Sequence, residues 1–366
     1  MPDYLVDKRD VRFVLFEQFD LDGLAKLPAY REMGRDTFEM ILDQAVTFAK
    51  EVLGPTREPA DAEGCTWSDG KVRVPSSYAG LWKQYAELGW PAMNRPAEFG
   101  GRGLPMPLCG AGMEMGIGAG SSFVFYPGLT LAAGHLLEVY GEEELRDLVV
   151  PKLYSGEWSG TMCLTEPHAG TSVGDSSTVA VPLDDSGREF SIRGNKIFIS
   201  AAEHDLTENI VHLVLGRVEG DPVGTKGLSL FLVPRTRFDA QGNLGEDNDV
   251  LCTGIEHKMG LHGSATCQLA FGDNDNCRGY LVGDQGKGIN AMFQMMNEAR
   301  LVTGLQGTAA ANFAYQLALA YAKDRKQGAK VSEPGGEAVT SVEHPDVRRI
   351  LMLCIAISEV SRALAL

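Results

Sequence analysis

The chain has 366 residues, 44% apolar and 22% charged, a balance typical of soluble globular proteins and a length beyond one ordinary domain. Acids outnumber Lys and Arg by 49 to 33, and a net charge of −16 with no basic stretch argues against nucleic-acid binding, because such a surface repels phosphate backbones. The start, Met1-Pro2-Asp3-Tyr4, has no basic segment before an apolar core, and the apolar stretches at 123–137 and 350–357 are interrupted or too short for a bilayer, so a soluble cytoplasmic protein without a membrane span is expected.

The first third reads as helical. Asp36-Thr37 predicts the cap of a helix carrying Phe38, Ile41, Ala45, Phe48 and Val52 at steps of three and four, with Gly54-Pro55 as its stop. Ser76-Ser77 predicts the start of a second helix through Leu81, Trp82, Tyr85 and Leu88, before a Gly-rich loop at 99–103. Helical patterns follow at 108–118 and 123–140, and a shorter one begins after Glu142-Glu143-Glu144, whose charges suit the positive end of a helix dipole. Near Gly156 the period changes. Phe190, Ile192, Ile197 and Ile199, the run 211–215 and the run 228–233 predict strands separated by turn clusters such as 184–187. From Gly288 a proline-free stretch to Lys323 predicts a long helix with small residues on its faces, suited to a bundle. A polar loop at 326–342 precedes a last helix from Pro345, with no Gly, Asn or Pro to end it.

These segments predict an α+β multidomain chain: an N-terminal extension (1–35), an α-helical domain (36–157), an antiparallel β-barrel or sandwich (158–283) and the start of a C-terminal helical bundle (284–366). The seven cysteines are odd in number and scattered, without a C-x-x-C pair, so neither a disulfide framework nor a metal site is expected and a reducing cytosol is the natural compartment. Gly116-Ile117-Gly118-Ala119-Gly120 follows a helix and matches only part of a dinucleotide fingerprint, so close helix packing is the better reading.

The most informative segment runs from Met162 through Leu164-Thr165-Glu166-Pro167-His168-Ala169-Gly170-Thr171-Ser172. Its chemistry fits either a loop gripping an anion or carbonyl through backbone N–H groups and hydroxyls, or an ordinary capped turn. It resembles the T-E-P-x-A-G-S/T signature of the acyl-CoA dehydrogenase family. In the same order, Lys196 to Ser200 resembles the K-x-W-I-T/S strand, and Lys258-Met259-Gly260 with Ser264 and Thr266 resembles the K-M-G-x-x-x-S-x-T turn. Gly283 with Gly288, then Arg300, then Tyr321-Ala322 with Arg325 and Gly328 resemble the family's later motifs. Tyr4, Arg9-Asp10, the run 203–210 and Asn297-Glu298-Ala299-Arg300 resemble the longer branch that includes 3-methylmercaptopropionyl-CoA dehydrogenases.

The resemblance implies FAD held between the β-domain and the bundle, and oxidation of an acyl-CoA to the trans-2-enoyl-CoA by α-proton and β-hydride removal. It further implies electron transfer to an electron-transferring flavoprotein and a homodimer. On this likeness Met162, Leu164, Thr165 and Gly170 border the flavin. Thr171 serves the pyrophosphate or the substrate's pantetheine, Phe198 and Ile199 back the ring, and Ser200 bonds near N5. Arg325 and Gln327 reach the FAD pyrophosphate of a neighbouring subunit, and Asn297 and Arg300 meet the CoA side. Ser200 and Phe198 replace the family's Thr and Trp while keeping a hydroxyl and an aromatic face. The catalytic base has no counterpart of the family's late Y-E-G-T-like segment and is expected beyond Leu366. Ala299 occupies the alternative position, and Glu298, about 100° around the helix, is expected to face away. An acyl-CoA oxidase, or a flavin-containing binding or stress-response protein without dehydrogenation, fits the same motifs, and acyl chain length is not legible.

Overall fold

Alternating apolar periods of about four and two residues set the elements seen in the computed structural model, which describes residues 4–366. The helices are α1 (Lys8–Arg12), α2 (Arg35–Thr47), α3 (Arg57–Glu63), α4 (Tyr78–Glu87), α5 (Met106–Tyr140), α6 (Glu143–Ser155), α7 (Gly288–Asp324) and α8 (Pro345–Ala365). The strands are β1 (Thr66–Ser68), β2 (Lys71–Arg73), β3 (Trp158–Cys163), β4 (Val179–Pro182), β5 (Glu189–Ser200), β6 (Asn209–Val218), β7 (Leu228–Pro234), β8 (Thr236–Phe238), β9 (Leu244–Asp247), β10 (Val250–Ile255), β11 (Thr266–Phe271) and β12 (Arg278–Val282). Among the described residues no helix is long and apolar enough to cross a membrane.

Local departures from the sequence reading have local causes. Gly34 caps α2, and the expected cap Asp36 sits in its first turn, where a carboxylate still suits the dipole. Past Thr47 the chain continues as a π-helical turn, Phe48–Leu53, and a short 3-10 turn, Gly54–Thr56, so Gly54-Pro55 loosens the helix and does not stop it. The two helical patterns at 108–118 and 123–140 lie on either side of Gly120, whose non-helical dihedrals (φ −165°, ψ 70°) kink α5. A hairpin of β1 and β2, absent from the sequence reading, turns on Asp69 and Gly70, both at positive φ, the dipeptide that a tight hairpin turn favours.

The chain divides into two compact units. One comprises the described residues through Arg57, Leu104–Ser121 and Leu301–Leu366. Within it Tyr4 is buried with its ring 5.4 Å from that of Phe313, and Gly118 allows the approach, since a Cβ there would lie 2.7 Å from the Tyr4 hydroxyl. Arg362 of α8 and Glu114 of α5 form a buried bidentate pair, with Nε 2.9 Å and Nη2 2.8 Å from the two carboxylate oxygens.

The other unit comprises Glu58–Gly103 and Ser122–Arg300. Its main sheet has eight strands in the order β10-β11-β5-β12-β7-β6-β3, with β4 pairing to both β5 and β6. The exclusively antiparallel arrangement expected from sequence is corrected here: β3 and β4 both run parallel to β6. Parallel neighbours need long connections, and 45 residues separate Cys163 from Asn209. Both faces of β6 and β7 are buried. Val211, Leu213, Leu215, Leu230 and Leu232 join one apolar cluster with Trp158, Leu136 and Met292, whereas Val214, Val218, Phe231 and Val233 join another with Ile199 and Phe271. Two-sided burial is why these strands read as continuous apolar runs.

Candidate functional site

Strand β3 hands the chain to the loop at 164–172, which is fastened at three points. The Thr165 carbonyl accepts from Ile197 N–H at 2.9 Å, and Glu166 and Ala169 exchange backbone bonds of 3.1 Å around Pro167-His168. The third point is the Glu166 side chain, only 1% exposed. Its carboxylate accepts from Ser176 Oγ, from Ser177 N–H at 2.7 Å and Oγ at 2.8 Å, and from Thr178 N–H at 3.2 Å and Oγ1 at 2.6 Å. Lys196 of β5, fully buried, donates to the same carboxylate at 2.8 Å and to the Leu164 carbonyl at 3.0 Å. Despite burial, the Lys196 charge and these donors hold the Glu166 carboxyl well below the usual range. At Lys196 burial outweighs the pairing and pulls the ammonium downward.

Two residues beyond Lys196 the strand is irregular. Pairing of β5 with β11 steps from Lys196↔Leu269 to Ile199↔Cys267, so β5 carries one extra residue, a bulge. Phe198 sits in it at φ 60° and is 58% exposed. A left-handed aromatic residue held out toward solvent is an unfavourable local arrangement, of the kind that clusters at functional sites. The bulge also switches parity: the buried side chains are Phe190, Ile192 and Lys196 before it and Ile199 after it. Ile199 therefore contributes its side chain to the core. Ser200 pairs with Thr266 across the ladder, and Thr266 lines a cleft of about 320 Å³ together with Cys65, Lys258 and His262.

Burial separates the remaining expected residues. Met162 is half-buried against the core cluster, whereas Gly170 and Thr171 are exposed. Among the described residues no side-chain hydrogen bond engages Thr165, Thr171 or Ser200. On α7, Arg300 donates to Asn297 Oδ1 at 3.1 Å and its guanidinium lies 5.3 Å from the centre of the Phe293 ring. Glu298 faces His135 of α5, bonding Nδ1, while Gln294 Nε2 lies 3.3 Å from the same nitrogen. In the other unit, Arg325 Nη2 donates to Gln327 Oε1 at 3.3 Å on an exposed loop that is pinned by Gln327 N–H to the Val339 carbonyl.

The structure brings together Asn297 with Arg300, Arg325 with Gln327, and the Leu164–Thr165 loop with the strand that carries Phe198 and Ser200. Sequence reasoning gave no role to Lys196, Glu166, Ser176, Thr178 or His135. The hydroxyl run Ser176-Ser177-Thr178 was the available signal, since three adjacent donors imply a nearby acceptor. Among the described residues no group of three His, Cys, Asp or Glu side chains is placed to hold a metal.

Residues 35–157 match the acyl-CoA dehydrogenase N-terminal domain and residues 161–274 the acyl-CoA dehydrogenase middle domain. The chain is 39% identical over 363 residues to a 3-methylmercaptopropionyl-CoA dehydrogenase of Ruegeria pomeroyi, covering 99% of this chain and 61% of that protein. It is 40% identical over 372 residues to a butyryl-CoA dehydrogenase of Syntrophomonas wolfei, covering 99% and 60%. The chain therefore spans about three fifths of the length of these curated relatives. The solved structure of butyryl-CoA dehydrogenase from Megasphaera elsdenii superposes with a TM-score of 0.70 at 21% identity, over 90% of this chain and 77% of that one. At that identity the superposition speaks to fold alone. The fold, a helical N-terminal part, a middle β-sheet and helices after it, together with the two matched domains, makes this chain a member of the acyl-CoA dehydrogenase family.

Proposed function

We propose that the chain belongs to an FAD-dependent acyl-CoA dehydrogenase of the longer branch, which oxidises an acyl-CoA to the trans-2-enoyl-CoA. The observation that carries this reading is the fastened loop beside a strained, exposed aromatic bulge. Both features fit a planar cofactor with hydrogen-bond acceptors along one edge. Phe198 offers a ring face, the loop offers the backbone N–H of Thr165, and the hydroxyls of Thr165 and Ser200 are uncommitted. Bound FAD supplies the hydride acceptor. Thr165 and Ser200 would orient its polar edge, Phe198 would back its ring, and Gly170 would leave room for backbone approach, since nothing lies within 4 Å of a Cβ there. Thr171 and the Arg325–Gln327 pair serve phosphate oxygens, a task suited to a guanidinium fork, with the second pair reaching across a homodimer.

On the substrate side Arg300, steadied by Asn297 and Phe293, meets the CoA portion. Glu298 is not the α-proton base in this reading, because its carboxylate is committed to His135. An electron-transferring flavoprotein would be the electron acceptor on this reading, and the seven free cysteines suit a reducing cytoplasm. The branch rests on the relatives with 39–40% identity.

Uptake of FAD by the purified chain tests the proposal, followed by anaerobic addition of butyryl-CoA. A retained yellow chromophore whose spectrum shifts with the thioester is expected. A chain that stays colourless in excess FAD refutes the reading, and rapid peroxide release in air on the same substrate replaces it with an oxidase.

A further inference from the structure

The Lys196 ammonium has three donors and three acceptors: the part-buried Leu164 carbonyl at 3.0 Å, and the buried Glu166 Oε1 at 2.8 Å and Ser176 Oγ at 3.4 Å. Glu166 alone accounts for a charge partner, so the bond to Leu164 calls for its own explanation. Leu164 C=O and Thr165 N–H are the two ends of one planar trans peptide. A cation on the oxygen draws electron density toward it and leaves the N–H, which points the opposite way, a stronger donor. No protein acceptor takes up the Thr165 N–H among the described residues, although the Thr165 carbonyl is tied to Ile197. The arrangement is dry, with Lys196 0% and Glu166 1% exposed, so the ammonium is screened far less than on a surface.

We propose that Lys196 is a positioning residue that polarises the Leu164–Thr165 peptide, making the Thr165 N–H a charge-assisted donor to an electron-rich ligand edge that gains negative charge during turnover. This rests on the FAD reading above, in which that edge belongs to the flavin. Glu166 and the hydroxyls at 176–178 keep the ammonium charged and aimed, and the same strand carries Phe198 two residues on. One buried cation thereby links loop position, bulge position and donor strength.

A purely structural ion pair and a polarising cation predict different outcomes when both charges are removed together. In K196M/E166Q no buried charge is left unpaired, so the fold is kept, but Leu164 loses its cation. Three readouts on the full chain separate the cases: melting of the FAD-free protein, the FAD dissociation constant, and the two-electron reduction potential of bound FAD. The expected result is a melting temperature close to that of the unsubstituted chain with a roughly tenfold loss of preference for the reduced cofactor, a potential more negative by about 30 mV. An unchanged potential in a folded double variant overturns the inference and leaves FAD binding standing. If the unsubstituted chain takes up no FAD, the cofactor reading and this inference fall together. Should K196M/E166Q fail to fold, E166Q decides: it leaves the ammonium on Leu164, so the potential holds or rises, and a fall of about 30 mV overturns the proposal.

Discussion

Acidification is the sharpest test of how the β-unit is held together. His204 and His212 are 1% and 0% exposed. His204 accepts from Leu206 N–H on Nδ1 at 3.2 Å and lies 2.9 Å from Ser159 Oγ through Nε2, while His212 Nδ1 lies 2.8 Å from Thr161 Oγ1 and its Nε2 has no hydrogen-bond partner among the described residues. Burial, then the Arg235 charge, lowers each from 6.5 to about 3. At pH 5 the unfolded chain protonates both imidazoles and the folded chain neither, so the unfolded state binds more protons and stability falls as pH drops below about 6.5. The loss per histidine at pH 5 is RT ln(1 + 10^1.5), about 2 kcal/mol, or about 4 kcal/mol for the pair. Glu203, raised by burial, works in the opposite direction, since its acid form is favoured when folded, so about 4 kcal/mol is a ceiling. Glu166, held low, gives up its contribution only below the ordinary carboxylate range and leaves pH 5 to the histidines. Urea unfolding at pH 7 and pH 5, followed by tryptophan fluorescence, reads this unit alone because Trp67, Trp82, Trp90 and Trp158 all lie in it. A His204→Asn variant is expected to lose about half the dependence. Equal stability at the two pH values, or a variant that keeps the full loss, refutes the burial argument.

In the helical unit, Arg362→Met leaves the buried Glu114, among the described residues, with Asn312 Nδ2 at 3.3 Å as its hydrogen-bond donor and is expected to cost about 3–5 kcal/mol, whereas the Glu114→Leu/Arg362→Met pair is near neutral. Thermal melts by far-ultraviolet circular dichroism distinguish the two, and equal melting of the single and double variants counts against an uncompensated charge as the cause. At the bulge, Phe198→Gly removes an exposed side chain from a left-handed position, so the FAD-free chain is expected to gain about 1 kcal/mol while FAD retention weakens. A destabilised FAD-free variant in urea unfolding shows that Phe198 is held for packing.

The elements that sequence patterning recovered are those governed by local rules. The break between the helical stretches at 108–118 and 123–140, the start of α6 after Glu142 and the long α7 follow from glycine, charge at a first turn and unbroken periodicity. The hairpin at Asp69-Gly70 was equally local and was missed because its strands, Thr66–Ser68 and Lys71–Arg73, are too short to show alternation, although the turn dipeptide itself was visible. The parallel pairs were not legible in the same way. Nothing in Trp158–Cys163 or Val179–Pro182 states that its neighbour is β6, because pairing direction is decided by where the connection returns, 45 residues after Cys163 and 26 after Pro182.

The site divides along a similar line. Thr165, Phe198 and Ser200 were reachable through their resemblance to motifs, yet no motif letter says what holds them. Lys196 and Glu166 are themselves letters of two of those motifs, but they lie 30 residues apart and nothing in the sequence says that they meet. Only the folded chain removes both from water, and it does so between the loop and the bulge. Burying two charges is costly unless each is fully hydrogen-bonded, and here every Lys196 donor has an acceptor while Glu166 collects six bonds. A hydrophobic pair of similar volume fills the same space without that penalty. What it lacks is a cation against the Leu164 carbonyl and a fixed direction for the Thr165 N–H, and those are the two properties that a ligand outside the loop feels.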